Sequence, residues 1–322
     1  MRYLYISLMF LFLSSISVSQ NTVQNLKKYW YYKKRLHRKF MVVSAGNESG
    51  TNIPAHRRGY VPANWKSVYT GPCRNEDEQI VTTTSIPVLD WGDNNGELQH
   101  YIAVLATEYR LLKDYGQNYE QTFNELIWAM RALERIDFNT ESNYKDSNGN
   151  SGTNSNNGFM MRDDVPSNFL SLHNDSNHDF DGRYAWSSYA AHGTGWCNDR
   201  PPAEPHEMSQ DIVWNYLPAL ALVNKLVDDN RTVCSAGTMR DWAKQRTYLM
   251  VKRLQCDICW FTKWELNNPV TEEPVEEGST TSAMGGGLQK PEIKLLPEHI
   301  LHCIKEKYRY YFPLIWIIHF TE

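Results

Sequence analysis

Gly96-Glu97-Leu98-Gln99-His100-Tyr101-Ile102-Ala103-Val104-Leu105-Ala106-Thr107-Glu108-Tyr109-Arg110-Leu111-Leu112 carries a helical pattern from end to end. Leu98, Tyr101, Ile102, Leu105, Tyr109 and Leu112 recur at i, i+3, i+4, i+7, i+11 and i+14, the spacing of one helical face. Ala103 and Ala106 keep the adjacent face thin, which permits a close helix neighbour. Gly116 is a natural stop. After a very short turn, Phe123, Leu126, Ile127, Met130 and Leu133 form a second apolar face. So brief a connection forces the two helices antiparallel, as an αα-hairpin.

A second hairpin is expected further on. Its first helix starts near Ser209, buries Val213, Leu217, Leu220, Val223 and Val227, and contains Pro218, which removes a backbone donor and should kink it. Its second helix opens on Thr238-Met239-Arg240-Asp241, a capping-box pattern, and turns Trp242, Leu249 and Met250 inward. The expected fold class is therefore mainly all-α, built from αα-hairpins.

Between the hairpins, Asn139 to Asp211 has almost no periodicity. A stretch this long without regular structure is usually functional or disordered. It holds Gly158-Phe159-Met160-Met161-Arg162-Asp163-Asp164-Val165-Pro166, a His/Asp/Asn-rich run, Gly193-Thr194-Gly195-Trp196-Cys197, and finally His206-Glu207-Met208-Ser209-Gln210-Asp211. Its Asn/Ser/Gly-rich part, Asp146 to Gly158, should be mobile.

Towards the N-terminus, Leu26 to Phe40 reads as a basic amphipathic helix with Tyr29, Tyr32, Leu36 and Phe40 on one side. One reading is attraction to an anionic membrane or polymer. The other, favoured by the narrow aromatic stripe, is a docked terminal helix with a solvated basic face. Met41-Val42-Val43 fits a short strand, and Ile80 to Leu89 supplies one or two more. Beyond the second hairpin, Asn267 to Gly287 is acidic and then Gly-rich, with an exposed turn around Asn268 to Val275. The tail after Lys290 ends in the apolar Tyr310 to Phe320, about half a membrane span, so no stable span is expected in the mature chain.

Met1 to Ser19 has the Arg2 n-region, the Leu4 to Ile16 apolar region and the Ser17-Val18-Ser19 cleavage pattern of a secretory signal. The alternative is an uncleaved interfacial helix. The expected organisation is a signal peptide over 1–19, one helical-hairpin domain over 20–290 and an irregular segment over 291–322. Export to the cell envelope, the periplasm or the medium follows. In such a compartment the six cysteines could pair, in 15 ways that sequence does not distinguish. Cys256-Asp257-Ile258-Cys259 lacks the second ligand pair that zinc needs.

The 322 residues are 41% hydrophobic, enough for a sizeable core, and the net charge of −4 argues against a nucleic-acid partner. Eleven Trp and 19 Tyr suit core packing and also stacking on sugar rings.

Consecutive αα-hairpins with long loops at one end resemble the six-hairpin, or α/α-toroid, glycosidase superfamily. The Gly96 to Tyr109 helix, its Leu126 to Leu133 partner and the Arg162-Asp163-Asp164 loop leading to a third helix carry the likeness, over roughly Asp90 to Gln255. A complete toroid has six hairpins, and two are legible here with the N-terminal helix as part of a third. The resemblance implies a partial α/α toroid and a glycan-active protein.

Glycosidic cleavage needs two carboxyl groups about 5 to 9.5 Å apart. Candidates at loop-to-helix junctions are Asp93, in Asp90-Trp91-Gly92-Asp93; Asp163 and Asp164, beside Arg162; and Glu207 and Asp211. Each also has a structural use, as helix cap, loop clamp or dipole partner. Trp91, Trp186, Trp196 and His206, with Arg162, are candidates for holding a carbohydrate polymer or oligosaccharide. Asn177, Asp179 and Asp181 alternate oxygen ligands like a calcium loop, but Ser188 stands where the closing Glu of an EF-hand belongs. Residue spacing gives no other metal motif. Two classes stay open: a secreted glycoside hydrolase working by paired carboxylates, and a noncatalytic envelope or glycan-binding protein, including a degenerate fragment of a larger toroid enzyme.

Overall fold

The structure, a computed structural model, describes residues 23–62, 85–91, 95–166, 168–182, 184–186, 210–254, 263–267, 269–270 and 274–279. The signal-like segment 1–19, the C-x-x-C motif and the tail 291–322 lie outside the described residues. What is described is mostly helical. α1 covers 23–39, α2 Asn95–Asp114, α3 Glu120–Phe138, α4 Phe169–Leu172, α5 Gln210–Leu226 and α6 Met239–Arg253.

The four long helices after α1 pack in the row α3, α2, α5, α6, each touching the next. The expected faces are the buried ones: Leu98, Tyr101, Ile102, Leu105 and Tyr109 on α2, and Phe123, Leu126, Met130 and Leu133 on α3. Val213, Leu220 and Val223 of α5 and Trp242 and Met250 of α6 complete the core. α2 stops as its sequence demands. Gly116 takes φ +63°, a left-handed conformation that glycine adopts at no steric cost, so Gln117 N–H reaches the Leu112 carbonyl at 2.8 Å and Gly116 N–H reaches that of Lys113 at 3.0 Å. α6 starts on the expected capping box, Thr238 and Asp241 each accepting the other's backbone N–H. Pro218 lies within α5, which continues to Leu226.

Helix direction follows from side-chain bonds. Tyr109 and Lys113, near the end of α2, both reach Asp228, just past the end of α5, at 3.0 and 2.5 Å. α2 and α5 therefore run parallel, and their starts share one end of the bundle. Arg231, beyond α5, bonds Glu120 at the start of α3, so the turn after α2 and the segment after α5 share the other end. α3 and α6 run back the other way, and Asp137, near the end of α3, meets Arg246, midway along α6. The loop leaving α3 starts at the first end.

Strands are minor. β1 (His56–Pro62) pairs antiparallel with β2 (Ser85–Asp90) through a bulge between Arg57 and Tyr60, matching the expected short N-terminal strands. β2 also pairs parallel with β3 (Tyr184–Trp186), from the inter-hairpin loop. Met41 to Val43 is not a strand. Phe40 and Val42 instead accept lone backbone bonds from Ala55 and Asn52, both at 2.7 Å. The acidic segment read as an exposed turn is a hairpin, β4 (Lys263–Asn267) with β5 (Pro274–Ser279), with Pro269 and Val270 in its turn.

The inter-hairpin loop is bonded throughout its described part. Asp146 accepts the N–H groups of Asn148 and Asn150 at 2.9 and 2.8 Å and closes the Asn/Gly-rich turn. A 3₁₀ turn, Glu141–Asn143, follows α3. Gly158 passes so close to α6 that a Cβ there would overlap the Leu249 carbonyl, and its φ is +85°.

Candidate functional site

The loop of Asp163 and Asp164 is drawn under the α3 end by charge. Asp164 and Arg135 form a two-point ion pair, Nε to Oδ2 at 2.5 Å and Nη2 to Oδ1 at 3.0 Å, with each side chain 2% exposed. Gly50 N–H donates to the same Oδ1 at 2.9 Å, and Arg135 Nη2 donates to the Thr51 carbonyl at 3.0 Å. One carboxylate thus ties α3, the 48–52 turn and the loop together. Asp163 is fully buried and accepts Val165 N–H at 3.0 Å, while Arg162 is half-buried. A second buried pair joins Asp137 to Arg246, and Asp137 also takes Gly158 N–H at 3.1 Å.

Trp91 is in the core, its ring edge-on to Phe169 at 5.5 Å and its Nε1–H on the Ile53 carbonyl at 3.2 Å. Asp93, Trp196, His206 and Glu207 lie outside the described residues. Asp211 is the second residue of α5 and Trp186 the last of β3, and their side chains are not described. The starts of α2 and α5 and the end of α3, from which the Asp163-Asp164 loop leaves, lie at one end of the bundle. Asp179 faces Lys39 at 3.1 Å and Asp181 faces Arg35 at 3.7 Å. Among the described residues no group of three or more His, Cys, Asp or Glu is placed to hold a metal ion.

The arrangement that sequence reading missed lies under α1. Tyr29, Lys33, Leu36, His37 and Phe40 form the side of α1 that packs on the bundle, so a lysine occupies the middle of the docked face. Lys33 Nζ bonds Glu108 of α2 at 2.7 Å and Glu125 of α3 at 2.8 Å. Both carboxylates are almost completely buried. Tyr29 and Thr122 hydroxyls also donate to Glu108. Gln121 and Tyr101 donate to Glu125 at 3.0 and 3.3 Å. His37 Nε2 lies 3.2 Å from the Tyr101 hydroxyl. Two anions are thereby held by one cation and by neutral donors, which is how buried charge is tolerated. Burial and the Glu108 bond push the Tyr29 hydroxyl far above its ordinary range, and burial holds the His37 imidazole below its usual value.

Above this cluster a groove of about 460 Å³ opens between α1 and α2. Tyr29, Lys33 and Tyr101 belong to both groove and cluster, and the rest of the wall includes Tyr32, Arg35, Glu97 and His100. Aromatic faces beside fixed donors and acceptors are what a ring-shaped polar ligand needs. Glu108 and Glu125 stand behind the wall and do not line it. Their signal in the sequence was a charged residue repeating inside an apolar stripe: Glu108 follows Tyr101 and Leu105 at i+7 and i+3, and Glu125 shares a stripe with Thr122, Ala129 and Ala132. Compared with known proteins, the chain matches no family model, no curated protein and no solved structure.

Proposed function

We propose that this chain is a glycan-active protein of the exported class that binds an oligosaccharide in the α1–α2 groove without cleaving it. The observation that carries the reading is the contrast between two places. The Asp164 carboxylate, a leading candidate for glycosidic chemistry, is spent on Arg135 and Gly50 inside the core. The open groove, in turn, has Tyr29, Tyr32, Arg35, Glu97 and His100 along its wall beside apolar Leu36, Phe40, Pro54 and Val104, with Tyr101 buried and Lys33 nearly so at its base. The exposed Tyr32 ring can stack on a sugar face while Glu97 and His100 bond hydroxyls. The side-by-side hairpins α2–α3 and α5–α6, with parallel first helices, support reading the bundle as part of an α/α toroid.

One observation favours hydrolysis as a second reading: α2 and α5 run parallel, so their starts, with Asp211 the second residue of α5, lie at one end of the bundle, the end at which the chain leaves α3 towards Asp163 and Asp164. A panel of neutral and acidic oligosaccharides, scored for binding and for shortened products, separates the two. Binding with no shortening is expected. Product formation that Asp211→Asn stops would establish the hydrolase reading in its place.

A further inference from the structure

The groove uses one flank of α1 and leaves the opposite flank to solvent. There Val23, Leu26 and Trp30 recur at i, i+3 and i+7 and are 51%, 55% and 42% exposed. Next to them Lys27, Tyr31, Lys34 and Arg38 recur at i, i+4, i+7 and i+11. An apolar ridge of about 10 Å, over residues 23 to 30, therefore adjoins a cationic one of about 16 Å, over residues 27 to 38. Residues 23 to 40 include seven Lys and Arg and no Asp or Glu. Lys33, Arg35 and Lys39 are engaged by Glu108 and Glu125, Asp181 and Asp179. Lys27, Lys34 and Arg38 make no ion pair among the described residues.

We propose that this flank of α1 seats on an anionic lipid surface. Val23, Leu26 and Trp30 enter the boundary between headgroups and acyl chains, and Lys27, Lys34 and Arg38 take the lipid phosphates. The pairing of ridges is the reason for choosing a membrane over a soluble polyanion. A polyanion would need the cations alone, whereas an interface also accounts for three neighbouring apolar side chains held in water. Tryptophan suits that depth, having an apolar body and a polar N–H. Lysine and arginine stems can lie along apolar surface while their heads reach phosphate. The docked side, fixed by Lys33 on its two glutamates, keeps α1 on the bundle while the outer flank is occupied. Attachment is peripheral: among the described residues no helix is long and apolar enough to cross a membrane. The groove lies on the other flank and stays open, so this inference does not rest on the glycan reading.

The test is co-sedimentation of the full chain with vesicles of phosphatidylcholine alone and of phosphatidylcholine mixed with phosphatidylglycerol. Binding is expected only to the anionic vesicles, and added salt should reverse it. The K27Q/K34Q/R38Q variant should lose on the order of 100-fold in partitioning, since each surface cation contributes to anionic-leaflet attraction. Trp30→Ala should lose roughly tenfold or more through the lost apolar burial. Arg110→Gln, a surface cation on α2, should bind as the parent does. Unchanged far-ultraviolet circular dichroism would show each exposed-site variant folded. Equal partitioning on both vesicle types, no partitioning on either, or a triple variant that binds like the parent would overturn the proposal. So would capture by a soluble sulfated polysaccharide with no vesicle binding, which would assign the flank to polyanions.

Discussion

Asp164 shows what a buried charge does in this bundle. Its two oxygens hold Arg135 and Gly50, and Arg135 in turn holds the Thr51 carbonyl. Asp164→Asn would leave the guanidinium buried without its counter-charge, and removing one partner of a buried pair costs about 3 to 5 kcal/mol. We expect urea denaturation of that variant to show a loss of this size. A loss below about 1 kcal/mol would place Asp164 among ordinary surface carboxylates. His37 gives the molecule a pH response. Burial lowers its folded-state value against the opposing pull of Glu125, so the unfolded chain binds more protons as the pH drops. Its contribution is intact above about pH 6.5, the ordinary histidine value, and is lost as the pH falls through that value toward the folded one. Melting temperature measured across this range should fall less steeply in His37→Gln than in the parent, and parallel curves would remove His37 from the account. Neither the Asp164 pair nor the His37 cluster was legible in the sequence, because a charged residue inside an apolar stripe reads equally as a stripe edge. Arg246, on the same side of its helix as Trp242, Ala243 and Met250, is the plainest case. Its partner Asp137 is 109 positions away at the end of another helix, and no local pattern links the two.

The helices were legible and the strands mostly were not. Periodicity over α2 and α3 is long and regular, and the stops and starts carry their own chemistry at Gly116 and Thr238. Because Thr238 supplies the first N–H acceptor of α6, Thr238→Ala should lower stability by about 1 kcal/mol. Gly158→Ala should cost more, since alanine would meet both a positive φ and the Leu249 carbonyl. A thermal-shift comparison of the two variants checks the order, and an equal or smaller effect at Gly158 would contradict the close approach of loop and α6. β3 is only three residues long and pairs across the chain with β2, so its stabilising contacts are invisible locally. β4 and β5 are polar and short, and their charged residues masked the alternation that signals a hairpin. α1 was legible as a docked amphipathic helix, but with Tyr32 in its stripe. In the structure Tyr32 is 59% exposed and Lys33 takes the inward position, because two glutamates on α2 and α3 leave a site that only a cation satisfies.

Among the described residues, two αα-hairpins stand side by side with their first helices parallel, and a long stretch of chain connects them. That much follows from short turns, helix periodicity and chain connectivity, which is why the sequence carried it. The candidate site did not follow, because it is assembled from α1, α2 and α3 by bonds between residues about 75 positions apart. The resulting molecule has its carboxylate pair hidden behind a groove walled by tyrosines and apolar side chains, the groove in which we propose that a sugar is held. Tyr32 lines that groove, is exposed and makes no bond to the glutamate pair, so its ring can be removed without disturbing the fold. The most direct measurement is a calorimetric titration of an oligosaccharide, taken from the panel as a ligand, into the parent chain and into Tyr32→Ala. A stacking ring contributes about 0.5 to 1.5 kcal/mol, so a roughly threefold to tenfold weaker Kd is expected in the variant at unchanged melting temperature. Equal affinity in the two proteins would contradict the placement of the ligand in the α1–α2 groove.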